Sequence, residues 1–209
     1  MSRPNKANKN EMATAKIENA FWSLLEKERY SDITVLRITQ EAGTNRNSFY
    51  YHYQNIDDLA YKAFINNANN ETTKTLVSTL LSAFREDQYP LKFDMSILPY
   101  TKRIMLCARS DSPYLNQLVN DLLMRIWFES MSIKEDLLSE DEKIQVLFIS
   151  AGLVKVLGSR TINNNPLSMT ILSQTEIGKA IITTMKNIAL RQHNDIIRCS
   201  ENSRLNELL

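Results

Sequence analysis

The chain has 209 residues, enough for one well-buried domain or for a small domain joined to a medium one. Four glycines and five prolines are too few for the frequent turns of a sheet-rich fold, so an all-α protein is predicted. A net charge of +1 excludes a surface that is cationic throughout, which leaves any binding of polyanions to local clusters of charge.

Positive charge is concentrated at the start. Arg3, Lys6, Lys9 and Lys16 face the single acid Glu11, and they read as a flexible basic arm or a solubilising terminus. From about Glu11 to Glu28, the apolar residues Ile17, Ala20, Phe21, Leu24 and Leu25 recur at spacings of three and four, which predicts a first helix with Trp22 outside its apolar stripe.

The segment from Ile33 to Tyr53 then reads as two short helices broken at Gly43. In the first, Val35, Ile38 and Ala42 share a face behind a Thr34 cap. Gly43 permits the positive φ of a tight corner. In the second, Asn45 is a cap, and Phe49 and Tyr53 share the face that docks inward. Arg46, Asn47, Ser48, Tyr50, Tyr51 and His52 remain for the other side. Arg pairs with guanine acceptors and Asn with adenine, while Ser, Tyr and His donate to phosphate oxygens. Successive helical side chains diverge by about 100°, so Tyr50, Tyr51 and His52 cannot all face inward.

These residues resemble the motif of the tetracycline-repressor-like (TetR-like) transcriptional regulators. The likeness runs through Ile33-Thr34, Ile38, Ala42-Gly43, Arg46, Ser48-Phe49-Tyr50, His52-Tyr53 and Asp58-Leu59, roughly the first third of the chain. It implies a three-helix helix-turn-helix DNA-binding domain over residues 1–54, a connecting helix over 55–70, and a helical effector-binding and dimerisation domain over 71–209. It also implies that Thr34, Arg46, Asn47, Ser48, Tyr50, Tyr51 and His52 face double-stranded DNA. On that basis Thr34, Tyr50 and His52 are assigned mainly to phosphates, and Arg46, Asn47 and Tyr51 mainly to base edges. Three departures stand out: Ile56 where the family often has a phosphate-reaching lysine, Asn47 for a frequent glycine or proline, and Thr44 for a frequent valine.

Asn55-Ile56-Asp57-Asp58 opens the connecting helix, with a cap and two carboxylates in its positively polarised first turn. Further along, Leu76, Val77, Leu80, Leu81 and Phe84 predict a helix that stops near Pro90. A stretch with Pro99 near its start carries Ile104, Met105 and Ala108. Ser110-Asp111-Ser112-Pro113 then launches a helix with Leu115, Leu118, Val119, Leu122 and Ile126 on one face. After the capping box at Ser139-Glu140-Asp141-Glu142, apolar residues from Ile144 to Leu157 occupy nearly every side of a helix. Asn163-Asn164-Asn165-Pro166 reads as a loop, and Ser173-Gln174-Thr175-Glu176 as the box that opens a last long helix.

The last two helices carry more apolar surface than one subunit can cover, which predicts a homodimer through Phe148, Ala151, Leu153, Val154, Ile177, Ile181, Met185 and Ile188. The large flexible or aromatic residues Phe84, Met95, Tyr100, Met105, Met124, Trp127, Met131 and Phe148 are expected to line a chamber for a small apolar effector. The resemblance implies a cytoplasmic repressor on a palindromic operator, its DNA affinity lowered by that effector. A regulator of the same fold controlled by a protein partner or by nothing is the alternative, and an α-helical enzyme a remote one.

No catalytic set is legible: His52 belongs to the reading helix, His193 lies near a polar tail, and no His, Cys, Asp or Glu show metal-ligand spacing. No cofactor is expected, and neither a leader nor a membrane span is legible. Cys107 and Cys199 are therefore expected to be reduced thiols, Cys107 in a core.

Overall fold

A computed structural model describes residues 6–69, 98–159 and 175–206. They form eight α-helices and two short 3₁₀ turns, with no strand among the described residues. The helices are α1 (Lys6–Lys27), α2 (Val35–Glu41), α3 (Arg46–His52), α4 (Ile56–Ala68), α5 (Leu98–Arg109), α6 (Pro113–Met131), α7 (Glu140–Gly158) and α8 (Glu176–Asn206). The helix expected from Leu76 to Phe84, the loop at Asn163–Pro166, and Arg3, Phe84 and Met95 lie outside the described residues.

The chain divides into two units. Described residues 6–69 and 98–119 form the first, and 120–159 and 175–206 the second, so the division falls within α6. Residues 98–119, expected in the C-terminal domain, group instead with the N-terminal helices, so α5 and the start of α6 belong to the first unit.

In the first unit α1 is the wall against which α2, α3, α4 and α5 pack. Ile17, Ala20, Phe21, Leu24 and Leu25 are buried as their spacing predicts, but so is Trp22, contrary to its place off the stripe. The cause is α5, whose Arg103 guanidinium lies 5.3 Å from the Trp22 ring centre and donates to Asn19 Oδ1 at 3.2 Å. Helix α1 begins at Lys6, so Lys6, Lys9 and Lys16 are helical and are not a flexible arm. Asp111 ties the end of α1 to the corner between α5 and α6, accepting from the Tyr30 amide at 3.0 Å, Ser31 Oγ at 3.0 Å and Arg29 Nε at 3.2 Å. Cys107 is fully enclosed, and burial pushes its thiol pKa up to about 12, the state of an inert core residue.

The second unit has its own core of Trp127, Ile133, Leu138, Val146, Ile149, Leu153, Ile182, Met185 and Ile188. The box at the start of α7 forms as expected: Ser139 Oγ accepts from the Glu142 amide, and Glu142 Oε2 accepts from the Ser139 amide at 2.8 Å. Helix α8 opens two residues later than its expected box would place it, on Thr175, whose hydroxyl accepts from the Gly178 amide at 3.1 Å. Gln192, almost fully buried, uses both ends of its amide on Lys134, accepting from N at 2.8 Å and donating to O at 2.9 Å. The loop after α6 is thereby fastened to α8, and the buried amide of Gln192 has both its ends bonded.

Candidate nucleic-acid interface

Local rules make the corner between α2 and α3. Thr34 Oγ1 accepts from the Arg37 amide at 3.3 Å and Asn45 Oδ1 from the Ser48 amide at 2.8 Å, so each short helix has one of its orphan donors satisfied. Gly43 sits at φ 59, where a Cβ is strained, and the Thr44 amide closes the corner on Thr39 O at 2.9 Å. Ile38 and Thr39 are the buried residues of α2. Thr39 turns its hydroxyl back onto the Val35 and Leu36 carbonyls, so its polar atom enters the core already bonded.

Helix α3 is held by Phe49, which is fully buried, and by Tyr53 just beyond its end, which is 3% exposed; their rings lie 5.6 Å apart. The Tyr53 hydroxyl donates to Glu18 Oε1 at 3.2 Å, and the same oxygen accepts from Asn66 Nδ2 at 2.8 Å, so one carboxylate joins α1, α4 and the end of α3. Burial and then the Glu18 charge hold the Tyr53 hydroxyl far above the ordinary tyrosine pKa, which keeps it a donor. Lys62 adds a second fastening: its Nζ donates to the His52 carbonyl at 3.1 Å and to Asp58 Oδ2 at 2.9 Å, and lies 5.4 Å from the Tyr53 ring centre.

With Phe49 and Tyr53 pointing inward, the remaining side chains are left for solvent. Arg46 and Asn47 are exposed, Tyr50 and Tyr51 are 57% and 69% exposed, and Ser48 and His52 are half-buried. The Tyr51 and His52 rings meet edge to face with their centres 4.8 Å apart, which limits the freedom of both. Thr34 is exposed at the start of α2, and its cap bond uses a lone pair, leaving the hydroxyl proton available.

The charges in this region are mostly matched within the molecule. Arg37 pairs with Glu28, Lys27 with Glu41 at 3.6 Å, Arg29 with Asp111 and Lys62 with Asp58. Arg46 makes no hydrogen bond or ion pair with any described residue.

Two residues escaped the sequence reading. Lys62 was signalled by its i,i+4 spacing from Asp58, although its reach to the His52 carbonyl was not. Leu36 was signalled by lying off the Val35, Ile38 and Ala42 face, and it is 46% exposed on the same pair of helices.

The described residues expected to line an effector chamber fall in both units. Tyr100 and Met105 belong to the first unit, whereas Met124, Trp127, Met131 and Phe148 belong to the second. Within the second unit Trp127 is closed into the core, Met124 and Met131 pack against that core, and Phe148 stands 78% exposed on α7.

The expected interface set divides too. Leu153, Met185 and Ile188 are buried in the core that α7 and α8 share and Val154 is buried as well, while Phe148, Ala151 and Ile177 are exposed and Ile181 is half-buried. The exposed members adjoin Ile144 and Leu147, 66% and 68% exposed, and an open groove of about 360 Å³ between α7 and α8.

Comparison with protein-family models and with curated protein sequences returns no match for this chain. Among the described residues, no helix is long and apolar enough to cross a membrane, and no group of three or more His, Cys, Asp or Glu could hold a metal ion.

Proposed function

We propose that this chain is a sequence-specific transcriptional regulator of double-stranded DNA, TetR-like in design, which reads a palindromic operator as a homodimer through α2 and α3. The observation that carries the reading is the division of labour on α3. Phe49 and Tyr53 are spent on the core, and every other side chain, including an Arg46 with no partner among the described residues, is turned to a surface or to its margin. Arg46, Asn47 and Tyr51 address base edges; Thr34, Tyr50 and His52 address phosphates; Leu36 adds an apolar contact of the kind that suits a thymine methyl. Because Lys27, Arg37 and Lys62 are already paired, affinity depends on base contacts more than on counterion release, and binding falls only gently with salt.

On the question of a signal, the regulator controlled by a protein partner or by none is favoured over one with a small-molecule chamber. Trp127 is packed into the core of the second unit, and Met124 and Met131 pack against that core.

Selection from a random duplex pool tests the function. A symmetric site is expected, with half-sites about 34–36 Å apart. Arg46→Ala should cost about 1–3 kcal/mol and relax one position in each half-site. Failure to enrich any sequence, or an Arg46→Ala protein with unchanged preference and affinity, overturns the reading.

A further inference from the structure

Gly152 is the thirteenth residue of α7, well inside the helix, where glycine is among the most costly residues. Nothing among the described residues calls for it: its φ is not positive, and a Cβ built there meets none of them within 4 Å. The glycine lines the groove between α7 and α8, beside an uncovered apolar face made by Ile144, Leu147, Phe148 and Ala151 on α7 and Ile177 on α8.

The midpoint of the α7 part of this face falls at Leu147 and Phe148. Seven residues before Phe148 stands Asp141, and seven residues after it stands Lys155, about 10 Å to either side. Lys155 is exposed and makes no hydrogen bond or ion pair with any described residue. Next to Asp141, Glu140 is matched by Lys143 at 2.7 Å, and on α8 Glu176 is matched by Lys179 at 2.8 Å, so the rest of the rim carries little net charge.

A face with acid at one end, base at the other and an apolar centre is complementary to itself turned through 180°. We infer that α7 packs antiparallel on α7 of a second copy, with the two-fold axis beside Phe148. In this register Lys155 of each copy meets Asp141 of the other, and Ile144 of each lies over Gly152 of the other, where the missing Cβ lets the backbone be approached. This rests on the homodimer reading above and adds to it the register and the role of the glycine.

Sedimentation of the full chain over nanomolar to micromolar concentration tests it, with circular dichroism melts as a check of folding. Gly152→Ala should keep or raise protomer stability and yet raise the dimer dissociation constant at least about tenfold. Asp141→Lys and Lys155→Asp should each weaken the dimer by about tenfold, and the double exchange should restore it to near the wild-type value. A folded Gly152→Ala protein that dimerises as tightly as wild type, or a double exchange that is no better than the single changes, overturns the register while leaving the homodimer standing. A wild-type monomer at tens of micromolar overturns the register and the homodimer together. DNA selection on the same samples shows separately whether the proposed function survives.

Discussion

Ser132 is the one described non-glycine residue with positive φ, at 55. It ends α6, with its own amide bonded to Glu129 O at 3.4 Å and the following Ile133 amide reaching back to Phe128 O at 2.9 Å. That is the double closure of a left-handed helix stop, a place suited to glycine. The left-handed conformation costs a residue with a Cβ about 1–2 kcal/mol, and glycine returns part of the gain through its freer unfolded state. Ser132→Gly should therefore stabilise the protein by about 0.5–1 kcal/mol in urea melts. No loss elsewhere is expected, because the exposed Ser132 side chain makes none of these bonds. At the same scale the sequence was a good guide to the α2–α3 corner. Thr34, Gly43 and Asn45 each do by local chemistry what their side chains, or the lack of one, prescribe.

The clearest pairing between elements joins α7 to α8. Glu142, the third residue of α7, closes its capping box and also receives Arg191 of α8 through Nε and Nη2, each at 2.6 Å. Arg191 in turn donates to the Leu137 carbonyl at 2.8 Å and to Asp195 at 2.8 Å. The Arg191 hydrogen bonds, then the Ser139 amide, outweigh the opposing effect of burial and hold the Glu142 pKa below its ordinary 4.5. A carboxylate with a depressed folded pKa contributes stability that is fully present above its unfolded value and is lost as pH falls through the folded one. Urea melts of wild type and Glu142→Gln between pH 7 and pH 3 should show the variant less stable at pH 7, with the gap closing below about pH 4.5. A gap that stays constant over this range would remove the ion pair as its cause. The capping box was legible in sequence. The arginine, 49 positions away, was not, because nothing local to either helix selects that partner.

For the whole molecule, the same two helices supply both the core of the second unit and its uncovered face. Leu153 and Phe148 separate these roles. Leu153 is 3% exposed, and Leu153→Ala should cost about 2–5 kcal/mol of protomer stability. Phe148 is 78% exposed, and Phe148→Ala should change protomer stability by less than about 0.5 kcal/mol while weakening self-association. Chemical denaturation at low protein concentration, set beside sedimentation at high concentration, measures the two effects independently.

Helical class, the starts of α2, α3, α4, α6 and α7 and the inward pair Phe49 and Tyr53 were set by the sequence alone, because caps, a left-handed glycine and a 3.6-residue period act within a few positions of one another. What the tertiary structure decided is which apolar surface meets which. A helix such as α7, apolar nearly all round, offers its period no way to distinguish the side that α8 covers from the side left open. Only the docking of α8 made Leu153 and Met185 core and Phe148 surface. The same holds for Trp22, buried by a helix some eighty residues away, and for the methionines and aromatics of the expected chamber, whose shared character gave no information about which unit each would join.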